Sequence, residues 1–473
     1  MNREQRIHAA AMEILREVGV AFHNEDALRI LKSNGIRVEG ELAYFTEEQI
    51  MHWVKMAPSS FTLYARDPQY NTVVGGDRVN PSPAYGCAFI AERDGTTRPG
   101  TLADYVKCCK LIHANSDYTI NGGTMIQPSD VPDRTSPIDM FYTALVHSDK
   151  AIMVSTADKD VMEAIMQAGC VLFGGKDALI EKPRMFTIIN TNSPLSLEGR
   201  MLDNLMVLAE YGQPVILCPA AMLGATGPLA KAGTLASGTA ENLAGIALAQ
   251  MIRPGTPVVF GIQSTAVDMR GVTFACSAPE GAAMQAFGAK MARFYGLPSR
   301  GGGSQTDAPV INAQAGYESM LTFFSAYNAG INLILEAGGV VASVNATSFD
   351  KMIVDFEIIR QVKATCAPID VDDEAFCMDD IKENAQSGNF LTTDYTLDNF
   401  MDLLYNPRIG SRNAKSATYF EDSIDAEMNR LLDAYEDMRP AFDAALMQRV
   451  KDVLVEHSGI DMQQLIHIDQ IRG

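Results

Sequence analysis

Polar residues gather at the end of one predicted strand, where they could contact a small molecule. The stretch Ser299–Ser319 reads SRGGGSQTDAPVINAQAGYES, with three glycines, small polar residues and Asp307 before a helical pattern that starts near Asn312. Because glycine has no Cβ, another group can approach Gly301–Gly303 closely. A flexible loop between a strand and a helix explains the same residues equally well.

Comparable side chains follow other predicted strands. They are neutral hydrogen-bonding groups or acids, and the set comprises Asn190, Asn192, Gln263, Gly302, Ser304, Asp307 and Glu336. Asp307 or Glu336 could act as a general base on a bound molecule. For each residue taken alone, a hydrogen bond that fixes a loop is the simpler interpretation. Their joint placement at strand ends is what favours a binding site.

Several other chemistries lack a signal in the sequence. No GxxxxGK[ST] motif is present, so phosphoryl transfer on a P-loop is unsupported. The seven histidines lie outside the predicted strand ends and form neither HxH nor HExxH, so we expect no zinc site. No lysine falls in a predicted strand, which argues against a Schiff base.

Eight strand-then-helix units would position these residues. The predicted strands are Tyr85–Ile90, Tyr118–Ile126, Ala151–Thr156, Arg184–Asn192, Pro214–Ala220, Pro257–Ser264, Pro298–Ser304 and Ile331–Gly339. Apolar strands without alternation are typical of a parallel sheet buried on both faces, and eight such units predict an α/β fold of the (β/α)8 TIM-barrel type. An open doubly wound sheet is the alternative, although no first unit carries a GxGxxG fingerprint.

The flanking segments have a different pattern. Residues 1–83 read as an N-terminal α+β cap, residues 84–365 as the barrel, and residues 366–473 as a C-terminal helical extension that includes one long amphipathic helix, Ala426–Glu456. In a barrel, the chemistry is expected at the carboxyl ends of the strands.

Composition narrows the class of partner and the compartment. The 473 residues carry a net charge of -20, which argues against nucleic acid or an anionic membrane surface as the main partner. No apolar run reaches the roughly 18 residues of a membrane span. The eight scattered cysteines and the absence of a signal-peptide pattern predict a cytoplasmic protein.

Four stretches together carry a family resemblance. They are IHAAAMEILREVGVAFHNEDALRILKSNG, FTLYARDP, GGGSQTDAPVINAQAGYES and NLILEAGGVVASVNATSFDKMIVDFEIIRQV, with LYNPRIGSRNAKSATYFED near the C-terminus. The chain resembles the trimethylamine methyltransferase family of corrinoid-dependent amine methyltransferases over nearly its whole length. The resemblance implies a barrel that moves a methyl group from a methylated amine to the cobalt of a separate corrinoid protein.

The resemblance also indicates a subgroup. Founding members use pyrrolysine to handle trimethylamine, whereas members that lack it demethylate quaternary amines such as glycine betaine, proline betaine or carnitine. Here every position is an ordinary residue, and we place the missing pyrrolysine near Gly301–Asp307. A quaternary nitrogen already carries the positive charge and leaves as a neutral amine, so it needs no further activation.

A quaternary ammonium group has no N–H donor, so aromatic faces and carboxylates usually bind it. The candidate aromatic residues are Tyr85, Phe89, Phe260, Tyr317 and Phe349, of which Phe349 is preferred, while Asp307 and Glu336 supply charge. Ordinary core packing is the simpler interpretation for Phe89 and Phe260. A substrate carboxylate could be received by Arg270, Arg300, Asn190, Asn192 or Gln263.

The cofactor is expected on a partner. The DxHxxG signature of cobalamin-binding modules is absent, so we predict that this chain binds no corrinoid itself and that a cognate corrinoid protein presents it. A homo-oligomer is also expected. A (β/α)8 lyase or isomerase acting on a small acid, or a non-catalytic protein that binds quaternary amines, are the alternative functions.

Overall fold

The computed structural model describes residues 1–412 and 420–471. Its strands, numbered in chain order, are β1 (Val20–Phe22), β2 (Arg37–Glu39), β3 (Leu42–Tyr44), β4 (Ser60–Leu63), β5 (Thr72–Gly75), β6 (Asn80–Pro81), β7 (Phe89–Ala91), β8 (Thr97–Pro99), β9 (Ile120–Gly122), β10 (Ala151–Met153), β11 (Met185–Asn190), β12 (Ser196–Leu197), β13 (Val215–Cys218), β14 (Met222–Leu223), β15 (Val258–Gly261), β16 (Thr265–Asp268), β17 (Thr273–Ala275), β18 (Ser299–Gly302), β19 (Leu333–Leu335), β20 (Val340–Val341) and β21 (Ala346–Thr347).

The helices are α1 (Arg3–Glu17), α2 (Glu25–Ser33), α3 (Glu47–Val54), α4 (Leu102–Ala114), α5 (Ser136–His147), α6 (Lys159–Phe173), α7 (Lys176–Glu181), α8 (Gly199–Glu210), α9 (Lys231–Ile252), α10 (Pro279–Phe294), α11 (Ala313–Asn328), α12 (Phe349–Cys366), α13 (Met378–Asn384), α14 (Asp394–Leu403), α15 (Phe420–Asp437), α16 (Ala444–Ser458) and α17 (Met462–Gln470). None of the helices in the described ranges is long and apolar enough to cross a bilayer.

Eight parallel strands form a nearly closed barrel in the order β6-β19-β18-β15-β13-β11-β10-β9. Between β6 and β9 no ladder forms, but the segments that follow these strands are joined by two hydrogen bonds. Gly86 N donates to Thr124 O at 2.8 Å, and Gln127 N donates to Cys87 O at 2.8 Å. Seven of the eight predicted strand segments contain an observed barrel strand, so the predicted (β/α)8 fold is confirmed.

The first strand was predicted in the wrong place. Asn80–Pro81, and not Tyr85–Ile90, pairs with β19. This strand is short and contains proline, which is rare in strands, so it has no apolar pattern to read. Asn80 compensates through its side chain, because Asn80 Nδ2 donates to Asn332 O at 3.0 Å. The apolar run that looked like the first strand contributes β7 to a separate four-stranded sheet.

The N-terminal segment closes the opposite end of the barrel from the strands' carboxyl ends. β4 and β5 form an antiparallel hairpin. Its side chains Leu63 and Val74 join the apolar cluster that contains Phe186 and Ile188 of β11. Tyr64 N donates to Pro183 O at 2.8 Å, just before β11 starts. Within the described ranges, the hairpin covers the amino-terminal end of the barrel, which leaves the carboxyl ends of the strands as the expected side for a ligand.

The C-terminal segment is helical, as predicted, but the prediction of one long helix over Ala426–Glu456 is wrong. α15 ends at Asp437 and α16 starts at Ala444, because Pro440 cannot continue a helix. α16 packs on α6, α15 on α4 and α12, and α17 on α5. The division into 1–83, 84–365 and 366–473 stays a prediction, and residues 413–419 and 472–473 of its last part lie outside the described ranges.

Candidate active site

The carboxyl ends of β18 and β19 bring a buried ion pair into the barrel. Arg300 lies in β18, Glu336 directly follows β19, and Arg300 Nη2 donates a hydrogen bond to Glu336 Oε1. The two side chains expose only 2% and 6% of their surfaces. Burial raises the pKa of Glu336, and the charge of Arg300 opposes that rise. Because a buried charge is costly unless it is paired, each side chain depends on the other.

Two further strands hold the guanidinium of Arg300. Arg300 Nη1 donates to Gln263 Oε1, which follows β15, and contacts Cys218 Sγ of β13 at 3.2 Å. Gly261 makes room for this side chain, since a Cβ there would lie 3.4 Å from Arg300 Cδ and 2.5 Å from Leu217 O. Four neighbouring strands thus contribute to one polar cluster at their carboxyl ends.

The cluster contains polar atoms that are buried without a hydrogen-bond partner. Among the described residues these include Arg300 Nε, Glu336 Oε2, Ser304 Oγ and both amide atoms of Gln305. Gln305 lies over Gly302, where an added Cβ would be 2.7 Å from Gln305 Nε2. Leaving a buried polar group unpaired costs about 1–3 kcal/mol, so a concentration of such groups indicates that a polar ligand completes the site.

The backbone at this cluster is also unusual. Ser304 and Glu336 have φ values of 50° and 53°, in the left-handed region that non-glycine residues rarely adopt. Conformations of this kind cluster at functional sites because surrounding contacts must hold them. Ser304 and Glu336 also carry two of the buried atoms without a hydrogen-bond partner, Ser304 Oγ and Glu336 Oε2.

A buried ion pair in α12 supplies those contacts. Lys351 Nζ donates to Ser304 O at 3.0 Å and to Asp355 Oδ1 at 2.5 Å. Asp355 Oδ2 accepts a hydrogen bond from Gly339 N at 2.7 Å. Both side chains are fully buried. The pair therefore fixes the loops after β18 and β19 from behind.

Asp307 lies at a junction of loops. Its carboxylate accepts hydrogen bonds from Cys276 N at 2.9 Å, from Ser277 Oγ at 2.5 Å and from Ser343 Oγ at 2.7 Å. These bonds join the chain after β17 to the chain after β20. A catalytic role for Asp307 stays a prediction, and its contacts are those of a residue that positions the loops.

Tyr85 approaches the barrel interior from the side of β9. An added Cβ on Gly123 would lie 3.2 Å from Tyr85 Cδ2. Burial raises the pKa of this tyrosine, while hydrogen bonding by Thr156 and Thr187 opposes the rise. Tyr85 is therefore a neutral phenol with an aromatic ring among hydroxyl groups.

Four predicted site residues remain, and in the described part of the chain none of them hydrogen-bonds to Arg300 or Glu336. Asn190 is exposed at the end of β11, and Asn192 Nδ2 donates to Glu198 Oε1 at 2.9 Å. Tyr317 is 62% exposed on α11. Phe349 starts α12, and Lys107 Nζ lies 4.2 Å from the centre of its ring. Substrate roles for these four residues stay predictions.

Sequence reasoning missed three functional candidates. Gln305 could have been found, since it directly follows Ser304 in the glycine-rich stretch. The signal for Lys351 and Asp355 was a pair of opposite charges four residues apart, on either side of the apolar run Met352–Val354. Among the described residues, no group of three or more His, Cys, Asp and Glu side chains is arranged to hold a metal ion.

Comparison with known proteins decides the family. The family model described as trimethylamine methyltransferase matches residues 1–454. The chain belongs to the trimethylamine methyltransferase family. One relative is the glycine betaine methyltransferase of Desulfitobacterium hafniense, which is 41% identical over 410 residues, covering 87% of this chain and 86% of that protein. The predicted family and the methyltransferase class are confirmed.

A second relative and one solved structure have lower sequence identity. The proline betaine:corrinoid methyltransferase of Eubacterium limosum is 29% identical, with 86% of each chain covered. Among solved structures, the monomethylamine methyltransferase of Methanosarcina barkeri matches with a TM-score of 0.50 and 10% identity, covering 91% of this chain and 87% of that one. This second likeness supports the fold alone.

Proposed function

We propose that the chain transfers a methyl group from a quaternary amine to the cobalt(I) of a corrinoid carried by a separate protein. The observation that carries the proposal is the buried carboxylate of Glu336, which has one oxygen on Arg300 and the other free. A buried anionic oxygen suits a cation that has no N–H to donate. Relatives named for glycine betaine and proline betaine support the same class of substrate.

The pair favours a zwitterion over a simple cation. Glu336 Oε2 is a free acceptor and Arg300 Nε is a free donor, so the ion pair offers one unpaired atom of each kind. A betaine carries an ammonium and a carboxylate in one small molecule. We assign the ammonium to Glu336 and the carboxylate to Arg300 and the amide of Gln305. Choline, which lacks the carboxylate, would satisfy only half of the site.

The residues of the cluster would act by holding the substrate. Attack on a methyl group of a cationic nitrogen disperses charge, so a site that excludes water favours the transition state over the solvated reactants. The corrinoid cobalt is the second substrate and accepts the methyl group. The contribution of the chain is to hold the carbon–nitrogen bond in line with the barrel opening.

The corrinoid protein would dock on the side of the barrel where the strands end. There β14, β16 and β17 form a small sheet beyond the barrel strands. Its turn and the adjacent loop expose Leu229, Met269 and Val272 by 78%, 74% and 69%. We call these three residues the rim patch. A small apolar patch suits a partner that binds and leaves in every turnover.

The reaction is assigned to the cytoplasm. All eight cysteines are free thiols, and five of them are buried. This agrees with a reducing compartment, where unpaired cysteines persist.

A spectroscopic assay tests the proposed function. The purified chain is mixed with a reduced cognate corrinoid protein and with glycine betaine, proline betaine, carnitine or choline. We expect the methyl-cobalt(III) absorption spectrum with at least one of the three zwitterions and little change with choline. Absence of a change with every quaternary amine contradicts the proposal. Turnover without the corrinoid protein would instead indicate a lyase or isomerase, and tight binding without methylation a binding protein.

A further inference from the structure

One segment of the chain exposes an unusual amount of apolar surface. We call residues 367–404 the arm. It contains α13 and α14, and neither helix buries a residue or packs extensively against another helix or strand. Its exposed large apolar side chains are Ile369, Val371, Phe376, Met378, Ile381, Phe390, Leu391, Leu397, Phe400, Met401, Leu403 and Leu404. A surface of this size and kind marks an interface.

The arm is fixed at both ends. It starts where α12 ends, at Cys366, and it returns to the middle of the same helix. Tyr405 Oη donates to Glu357 Oε1 at 2.5 Å, Arg408 N donates to Glu357 Oε2 at 3.1 Å, and Ile409 is buried. The arm therefore projects from a defined place on the barrel.

The helices of the arm need a partner to be stable. α13 has seven residues and α14 has ten, and isolated helices shorter than about 12–15 residues are marginal in water. Leu397, Phe400 and Met401 share one face of α14, and Leu404 follows directly after the helix. This face has the pattern of a helix that packs on an apolar surface.

The chain also exposes a surface of the right kind. On α11, Tyr317, Leu321 and Phe324 are 62%, 42% and 40% exposed. Their spacings of four and three place them on one side of the helix, and we call them the α11 stripe. Lys290 and Arg293 are exposed on α10, which packs beside α11. Within residues 1–412 and 420–471, both the stripe and the arm therefore leave apolar side chains exposed.

Charge supports the match between arm and stripe. Residues 367–404 contain ten acidic side chains and one lysine. The cations of α10 beside the stripe are complementary to this acidic segment. Opposite charges around an apolar contact fix its register and disfavour wrong partners.

We infer that the arm of one copy packs on the α11 stripe of a second copy, and the reverse, so that the chain forms a dimer with two-fold symmetry. A two-fold contact buries the arm and the α11 stripe of both copies together, because each copy contributes an arm and binds the arm of the other. The corrinoid protein is a poorer occupant. It has to leave after each turnover, and a dozen large apolar side chains would return to water each time. Permanent interfaces are the more apolar ones.

The mass of the full chain in solution is the first test. Sedimentation and light scattering are expected to give twice the chain mass of 51.3 kDa. Phe400→Asp with Leu404→Asp in the arm, and separately Leu321→Asp with Phe324→Asp in the stripe, are expected to give monomers. Leu229→Asp, an exposed apolar residue outside both surfaces, is the matched control and remains dimeric. A wild-type monomer, or arm variants that stay dimeric, would overturn the inference.

Disulfide capture tests the contact even if the charged variants fold poorly. In a Cys377→Ser background, one chain carries Leu321→Cys and a second carries Leu397→Cys. Mild oxidation of the mixture is expected to give a covalent pair that neither chain forms alone. If a single chain carrying both cysteines links only to itself, the arm folds on its own barrel and the inference fails. If the apolar side chains of the arm become buried only when the corrinoid protein is added, the inference fails and the corrinoid protein is the partner of the arm.

Discussion

Two regions of the molecule leave groups without a partner, and the groups are of opposite kinds. The barrel centre buries polar atoms of Arg300, Gln305 and Glu336 without hydrogen bonds. The arm exposes large apolar side chains to water. Both arrangements reduce stability, and each indicates a partner with the complementary chemistry. A small zwitterion completes the barrel centre, and a protein surface completes the arm.

The largest expected effect comes from removing the anion at the barrel centre. Glu336→Gln leaves Arg300 buried without its counter-ion, so we expect a loss of about 3–5 kcal/mol in the free energy of unfolding. The rate of corrinoid methylation should fall about 10²–10³-fold, as when a preorganised electrostatic group is removed. Denaturant unfolding and the methyl-cobalt spectrum measure the two effects.

A double variant separates stability from function in that experiment. Arg300→Met with Glu336→Gln removes both charges, and replacing a whole buried pair by uncharged groups is often neutral for folding. We expect the free energy of unfolding to recover while methyl transfer stays lost. A double variant with near-normal activity would mean that the pair holds the barrel together and does not bind the substrate.

Gln305 gives the next largest effect, with opposite signs for stability and function. Both amide atoms are buried without a partner, so Gln305→Leu is expected to raise the free energy of unfolding by about 1–3 kcal/mol. The KM for the betaine should rise about tenfold or more, because a hydrogen bond to the charged carboxylate is lost. Thermal unfolding and steady-state kinetics measure the two changes. A less stable variant would show that Gln305 has a structural partner.

The rim patch should affect only the encounter with the corrinoid protein. Leu229→Asp and Met269→Asp place charges on exposed side chains that do not belong to the polar cluster. We expect the KM for the corrinoid protein to rise by roughly fivefold or more, as when an apolar contact of an interface is lost. The dissociation constant of the betaine, measured by calorimetry, should not change. A change in betaine affinity alone would place these residues at the substrate and not at the docking face.

Asp139 provides a matched control, since it too is a buried carboxyl group with one oxygen unpaired. Asp139 Oδ2 accepts from Gln464 Nε2 at 2.6 Å, between α5 and α17. Burial raises its pKa from 3.8 to about 7. Between these values the folded state holds a proton that the unfolded state releases, so this group makes stability fall as the pH rises.

The variant Asp139→Asn should therefore remove this decrease of stability with rising pH. At pH 8 we expect it to be more stable than the wild type by up to about 4 kcal/mol, given about 1.4 kcal/mol for each pKa unit. Methyl transfer should stay within about twofold, because the residue lies between helices and not at the strand ends. Unfolding curves from pH 4 to pH 8 test this. Two results would contradict the different roles given to Asp139 and Glu336. One is a wild-type free energy of unfolding that does not change with pH, and the other is a strong loss of activity in Asp139→Asn.

The sequence predicted the barrel because most of its strands are continuous apolar runs bounded by turn residues. The first strand escaped because Asn80–Pro81 is held by an asparagine side chain, which has no periodic signal. Arg300, Gln263 and Glu336 were predicted because parallel strands end at one face of a barrel. Phe349 and Tyr317 lie on helices, where no strand register links them to that face. The Lys351–Asp355 pair contacts the loops after β18 and β19, and only the folded chain brings these loops to α12.

A binding comparison between glycine betaine and its carbon isostere, 3,3-dimethylbutanoate, tests the assignment of the ammonium to Glu336 most directly. The two molecules share shape and carboxylate and differ only in the charge of the central atom. Calorimetry on the chain without the corrinoid protein is expected to give at least about tenfold tighter binding of glycine betaine, since two opposite charges about 4 Å apart attract each other by about 4 kcal/mol at an effective dielectric constant of about 20. This preference should vanish in the Arg300→Met, Glu336→Gln double variant. Equal affinity of the wild type for the two molecules would contradict the assignment.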